Sequence, residues 1–324
     1  MQSWTLERKI QITQTRIYEW YLHNNGKVYV SFSGGKDSTV LADLTARVCA
    51  ANGWELILVF IDTGLEYPEI RDFIPEFKEY LEDKYDIKVR LETIRPKIPF
   101  NKVIEIYGYP FPSKEIAKNI DYGRKAQKRN DQRMYNHYIN GCRYNKKTNL
   151  DYIYMPLAEK WKSLLESDIP ISNYCCVIMK KEPSKRFEKE TGLYPISGEM
   201  ADDSKERKMN YLRTGCNGFE NKRPISKPMG FWLEQDVLHY IKEFPPPICS
   251  VYGDIVSVTN KKNIVELTTT GVNRTGCMFC MFGVHLQKEP NKFQQMKITH
   301  PKQYDYCINK LGCGKVMDFC NIPY

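Results

Sequence analysis

Val28-Tyr29-Val30-Ser31-Phe32-Ser33-Gly34-Gly35-Lys36-Asp37-Ser38 is the stretch on which the fold turns. Its opening residues are mostly β-branched or aromatic, as in a buried strand. Two glycines follow, and then Val40, Leu41, Leu44 and Val48 recur at helical spacing. The stretch reads as strand, tight turn, helix. Such a turn aims backbone N–H groups and the positive end of a helix dipole at one point, a seat for phosphate oxygens. Glycine lets phosphates approach the backbone, Lys36 adds a point charge, and Ser33 and Ser38 add hydroxyls. Two familiar phosphate motifs do not fit. Asp37 stands where a Walker A loop needs Ser or Thr, and position 30, where that loop has its first Gly, is Val. Gly34 and Gly35 are adjacent and no third Gly opens the helix, so a dinucleotide fingerprint fails too.

What Ser33-Gly34-Gly35-Lys36-Asp37-Ser38 resembles is the PP-loop, Ser-Gly-Gly-x-Asp-Ser, of the adenine-nucleotide α-hydrolase superfamily. The resemblance implies a loop that holds the pyrophosphate end of ATP while the α-phosphate is attacked, or the sulfate or phosphate of an adenylyl-sulfate. It makes Lys36 and Asp37 the candidate catalytic residues and Ser33 to Ser38 the candidate nucleotide-binding loop.

Working outward, Leu6, Ile10, Thr13, Ile17 and Trp20 or Tyr21 trace one face of an amphipathic helix before the first strand. A second strand, Leu56–Ile61, ends in Asp62-Thr63-Gly64, and a helix begins near Pro68. An acidic residue at the carboxyl end of a neighbouring parallel strand lies where open α/β sheets bind ligands. Asp62 is therefore a candidate for magnesium or a sugar hydroxyl, with a plain turn residue as the alternative. Ile87–Thr93 reads as a third strand, and Gly108 and Gly123 read as turns between helices of the segment that follows. Tyr194–Ser197 reads as a fourth strand ending at Gly198-Glu199, with Ser204 and Arg207 beyond it over the same sheet edge. Phe231–Phe244 has a helical pattern, and Pro245-Pro246-Pro247 breaks it. The expected architecture is α/β: a doubly wound parallel sheet of the adenine-nucleotide α-hydrolase type over residues 1–247, with a Cys-rich C-terminal appendage over 248–324.

Composition bounds the rest. The chain of 324 residues is 42% hydrophobic, enough for a substantial core. Its longest apolar run is six residues, which excludes a transmembrane helix. With Glu7, Arg8 and Lys9 near the start and no apolar leader, the expected compartment is the cytoplasm. Of the net charge of +9, much lies in residues 114–147: Lys114, Lys118, Arg124, Lys125, Lys128, Arg129, Arg133, Arg143, Lys146 and Lys147, with four tyrosines interspersed. The readings are a grip on a nucleic-acid backbone or a solvated helical face.

Eleven cysteines without an export signal point to metal or redox roles rather than a disulfide scaffold. Cys175 and Cys176 are adjacent, and Cys277-Met278-Phe279-Cys280 lies about a hundred residues on. Four thiolates so arranged suit a 4Fe-4S cluster. Zinc, a redox disulfide at Cys277/Cys280 and plain buried thiols are the competitors. Cys175-Cys176 followed by Lys180 and Pro183, then Cys277-x-x-Cys280, is similar to the pattern of cluster-bearing adenylyl-sulfate reductases. That wider group, the phosphoadenosine-phosphosulfate reductase family, also includes ATP pyrophosphatases of DNA phosphorothioation. The resemblance implies that Cys175, Cys176, Cys277 and Cys280 hold the cluster and that Gly198, Glu199 and Arg207 border the nucleotide.

One family feature is missing. Reductases of the group carry a tail cysteine in Glu-Cys-Gly-(Leu or Ile)-His, whereas this chain reads Leu311-Gly312-Cys313-Gly314-Lys315. Three functions follow: an adenylating PP-loop ATP pyrophosphatase of sulfur-transfer type using ATP and magnesium, with a sulfur donor and a nucleic acid among its partners; a reductase of adenylyl-sulfate or phosphoadenylyl-sulfate working with a redox partner; or a nucleotide-sensing module without turnover. The intact loop speaks against the third and the missing tail motif against the second.

Overall fold

The hydroxyl of Thr5 accepts the Arg8 N–H at 3.4 Å and so caps α1 (Leu6–His23). Ile10, Thr13, Ile17, Trp20 and Tyr21 are buried on this helix, as their spacing predicts, whereas Leu6 is half-buried and Lys9, unforeseen, is buried with its ammonium on Asp236. The computed structural model describes residues 1–145, 147–260 and 263–324. It divides into two units: Met1–Asp62, Glu66–Arg95 and Pro183–Cys277 form the first, and Thr63–Leu65, Pro96–Glu182 and Met278–Tyr324 the second.

In the first unit β1 (Val28–Ser31), α2 (Lys36–Asn52), β2 (Leu56–Ile61), α3 (Pro68–Tyr85) and β3 (Val89–Ile94) follow one another. Strand β3 begins two residues later than the sequence suggests. Strand side chains point alternately to the two sheet faces. Val28, Val30, Leu56, Leu58 and Phe60 therefore join the large core that includes α1, α2 and α3, while Tyr29, Ile57 and Val59 meet Phe187 on the opposite face.

The second unit holds helices Phe100–Tyr107, Lys114–Lys128 and Gln132–Tyr138, and the hairpin of β4 (Cys142–Asn145) and β5 (Leu150–Ile153). Gly108 ends its helix with φ +94°, as expected of a turn glycine. Gly123 does not make the expected turn. It lies inside Lys114–Lys128, where a Cβ would stand 2.4 Å from Ile139 Cδ1, so the glycine serves close packing rather than chain reversal.

From Pro183 the first unit resumes with β6 (Tyr194–Ile196), β7 (Asn217–Gly218), β8 (Ile225–Ser226) and the hairpin β9 (Ile255–Thr259) and β10 (Val265–Thr269). The sheet order is β3-β2-β1-β6-β8-β7, parallel except for the edge pair β7/β8. This is the expected mixed α/β architecture with a mostly parallel sheet. The boundary expected at residue 247 is a correction, because residues 248–277 belong with the sheet. Gln235 exchanges hydrogen bonds with the Leu267 backbone at 2.9 Å, tying β10 to the helix Glu234–Glu243. The Cys-rich tail 278–324 groups instead with 96–182.

Candidate nucleotide site

Residues 32–35 link β1 to α2, and their own hydroxyls set the turn. The Ser33 N–H donates to Ser38 Oγ at 3.2 Å, the two hydroxyls lie 3.1 Å apart, and Ser38 Oγ donates to the Gly35 carbonyl at 2.8 Å. Gly34 has φ +70°, and a Cβ there would stand 2.9 Å from Ile70 Cγ2 on α3. A left-handed residue packed this closely must be glycine. The loop is thus shaped before any ligand arrives, the condition under which backbone donors stabilise developing charge best.

β6 lies beside β1 in parallel and brings Gly198 to the loop. A Cβ on Gly198 would stand 3.2 Å from the Asp37 carbonyl oxygen, so the two segments meet backbone to backbone. Crossovers leave β1 toward β2 on one side and reach β6 on the other, which makes this edge the switch point where open α/β sheets bind ligands.

Lys36 is engaged on every side. Its N–H donates to the Tyr252 phenol oxygen at 3.0 Å, and its ammonium donates to the Asn273 carbonyl at 2.8 Å and pairs with Glu234 at 2.9 Å. The side chain is only 2% exposed. Tyr252 also shares a hydrogen bond of 2.8 Å with Thr275, and burial pushes its phenol up to about 12. Asp37 lies 3.8 Å from the Lys36 ammonium, and its buried Oδ1 has no hydrogen bond. Burial raises its carboxyl above the usual range; Lys36 and Arg274 oppose this, while Asp203 and Glu234 add to it. An under-coordinated carboxylate oxygen suits a hard cation, and magnesium typically takes one or two carboxylates plus substrate phosphates. Asp37 therefore fits as a magnesium ligand.

A second charged group adjoins it. Asp203 pairs with Arg207 and, at 2.8 Å, with Arg274. Glu199 pairs with Lys227 at 2.7 Å and with Arg207 at 3.9 Å. Ser204 accepts the Arg207 N–H at 3.2 Å and caps the helix Lys205–Thr214. The structure thus brings together Ser33, Gly34, Gly35, Lys36, Asp37, Ser38, Gly198, Glu199 and Arg207. It turns Asp62 elsewhere, to Arg71 at 2.9 Å and Arg95 at 3.0 Å, which makes that carboxylate a poor magnesium ligand. Sequence reasoning missed Asp203, Lys227, Glu234, Tyr252, Asn273, Arg274 and Thr275. Tyr252, Asn273, Arg274 and Thr275 stand in turn-rich segments with no motif of their own and are revealed by the packing of residues 248–277 against the loop, while Asp203, Lys227 and Glu234 are revealed by their ion pairs.

Cys175, Cys176 and Cys280 lie in the second unit, and Cys277 is the last residue of the first. Among the described residues no group of three or more His, Cys, Asp or Glu side chains is gathered to hold a metal ion. No disulfide joins any of the eleven cysteines. Cys313 is fully buried, with Cys307, also fully buried, as its hydrogen-bond partner.

The basic stretch in the second unit is of two kinds. Arg124 donates to the carbonyls of Leu165 at 3.0 Å, Ile169 at 2.6 Å and Ser167 at 2.7 Å, a structural staple. Lys125 pairs with Asp121 at 2.7 Å. Arg133, His137, Tyr138, Arg143, Tyr144 and Asp151 are among the residues lining a cleft of 820 Å³, with Arg143 held by the His137 carbonyl. Lys146 lies outside the described residues.

Residues 27–145 match the phosphoadenosine phosphosulfate reductase domain model. An uncharacterised protein of Methanocaldococcus jannaschii is 37% identical over 310 residues, covering 94% of this chain and 53% of its own length. The chain thus spans about half of that relative. A solved structure, the U34-tRNA thiolase NcsA from Methanococcus maripaludis with its 4Fe-4S cluster, is 14% identical and aligns over 97% of this chain and 80% of its own, at a TM-score of 0.38. No helix among the described residues is long and apolar enough to cross a membrane. The loop geometry and the matched domain agree: residues 27–145, which carry the loop after β1, are similar to the phosphoadenosine phosphosulfate reductase domain.

Proposed function

We propose that this chain is a PP-loop ATP pyrophosphatase of sulfur-transfer type. An acceptor oxygen attacks the α-phosphorus of ATP, pyrophosphate leaves, and a sulfur donor then displaces AMP from the adenylated acceptor. The observation that carries this reading is the pre-shaped loop at the sheet's switch point, with Lys36 and the under-coordinated Asp37 beside it. Backbone N–H groups of the loop orient the polyphosphate, and Lys36 exchanges Glu234 for phosphate oxygens as charge builds on pyrophosphate. Asp37 would hold a magnesium ion, which would supply neutralisation of that charge. Arg274 and Arg207, fixed by Asp203, are donors for the departing group or the acceptor.

One observation weighs against the reductase reading: Cys313 is a buried helical residue rather than an exposed nucleophile. An iron–sulfur cluster on Cys175, Cys176, Cys277 and Cys280 rests on the order of the thiols in the sequence alone, and colour together with iron content after anaerobic purification decides it. The acceptor class we propose is nucleic acid, on the charge of residues 114–147 and the aromatic, basic cleft at Arg133 and Arg143. Incubation with ATP, magnesium and candidate acceptors should release pyrophosphate, and addition of a sulfur donor such as sulfide should then release AMP. Release of orthophosphate, or sulfite from adenylyl-sulfate with a thiol reductant, would overturn this function.

A further inference from the structure

The nucleotide loop lies where β1 ends. Where β6 begins, the first unit has another cleft, of 530 Å³, within the about 300–1,000 Å³ usual for small-ligand sites. Lys185 and Lys189 of the helix Glu182–Thr191 line it, as do Lys222 and Arg223 of the turn before β8. Glu188 is the lone carboxylate in its lining, and Leu193, Tyr194, Pro195 and Pro224 supply an apolar surface.

Glu188 does not neutralise the lysines. Its carboxylate accepts the Tyr29 hydroxyl at 2.8 Å and Arg223 Nε at 2.8 Å, and it accepts Arg223 Nη2 as well. Tyr29 is a buried residue of the central strand, and burial raises its phenol. A chain of groups therefore runs from the sheet through Glu188 and fixes the guanidinium at the cleft, with the Nη1 donors outside these bonds. Lys185, Lys189 and Lys222 form no ion pair among the described residues. Two of them are spaced i,i+4 on one helix, an unfavourable like-charge pair unless an anion lies between. A cleft lined by one sign of charge concentrates anions.

We propose that this cleft is a second binding site, for a nucleoside phosphate: the phosphate lies against Arg223 and the lysines, and the base lies on Leu193, Pro195 and Pro224. An apolar wall accepts any base, so recognition rests on the phosphate and on the burial of the base. The ligand's source is either a free mononucleotide or the 5′-phosphate end of a polynucleotide. This site is separate from the PP-loop and does not depend on the reaction assigned there.

The test uses the full chain with Lys36→Ala and Asp37→Ala combined, so that the PP-loop is silenced. Equilibrium dialysis with radiolabelled AMP and with a 5′-phosphorylated oligonucleotide should still show one saturable site per chain for at least one of them. Saturation by AMP assigns the free nucleotide, and by the oligonucleotide alone the strand end. Adding Arg223→Ala, or Lys185→Ser with Lys222→Ser, all exposed positions, should weaken it by at least about tenfold, the loss expected for a charge-assisted contact. Circular dichroism checks that each variant is folded. No residual site in the silenced protein, unchanged affinity in both cleft variants, or inorganic phosphate competing as well as AMP would each overturn the proposal. Normal pyrophosphate release by the wild type alongside such a failure would leave the PP-loop reading standing.

Discussion

Lys36 holds its ammonium between Glu234 and the Asn273 carbonyl, so a nucleotide must take it from those partners. Glu234→Gln removes the charged competitor and should tighten ATP affinity, read by calorimetry; weaker binding would instead make Glu234 a necessary support. Lys36→Ala should slow pyrophosphate release by about 100- to 1000-fold, the usual loss for one preorganised donor. Asp37 gives a pH signature. Its carboxyl is raised in the folded state, so the stability tied to its neutral form is present below the unfolded value and is lost as pH rises through the folded one. Asp37→Asn should therefore match the wild type's melting temperature in acid and exceed it near neutrality, in the absence of nucleotide. A constant difference across the range would contradict a buried carboxyl that costs stability only when ionised.

At the scale of elements, the alternation of Val28, Tyr29 and Val30 makes both sheet faces readable, and the glycine pair makes the turn readable. Gly123 reads as a turn in sequence because composition cannot tell a turn glycine from one required by a neighbouring segment; its reason is Ile139, sixteen residues away in sequence. Gly123→Ala gains about 1 kcal/mol of helix propensity but should lose about 1–3 kcal/mol to overpacking. Ile139→Val in the same chain should recover part of that, as touching residues couple. Urea melts of the two single variants and the double variant check it, and additive effects would contradict the packing of Gly123 on Ile139. Equally invisible in sequence is the role of residues 248–277. Tyr252 and Thr275 reach the loop through long-range packing that no local pattern encodes, whereas Ser33, Lys36 and Gly198 stand within motifs.

For the molecule as a whole, the net charge of +9 is unevenly spread, and only part of it is available to a partner. Arg124 and Lys125 are engaged by carbonyls and by Asp121, which leaves Lys128, Arg129 and Arg133 as the better test of nucleic-acid binding. Reversing these three should weaken binding to all sequences alike and lower the salt slope by about one for each phosphate no longer neutralised; an unchanged slope would remove the interface. Every such partner matters only if the loop after β1 grasps an adenine nucleotide. Calorimetric titration of ATP with magnesium into the wild type and into the Lys36→Ala, Asp37→Ala variant tests this most directly, with the sheet's folding checked by circular dichroism. The wild type's strongest binding event should disappear in the variant, and an unaltered affinity there would contradict a nucleotide seat at this loop.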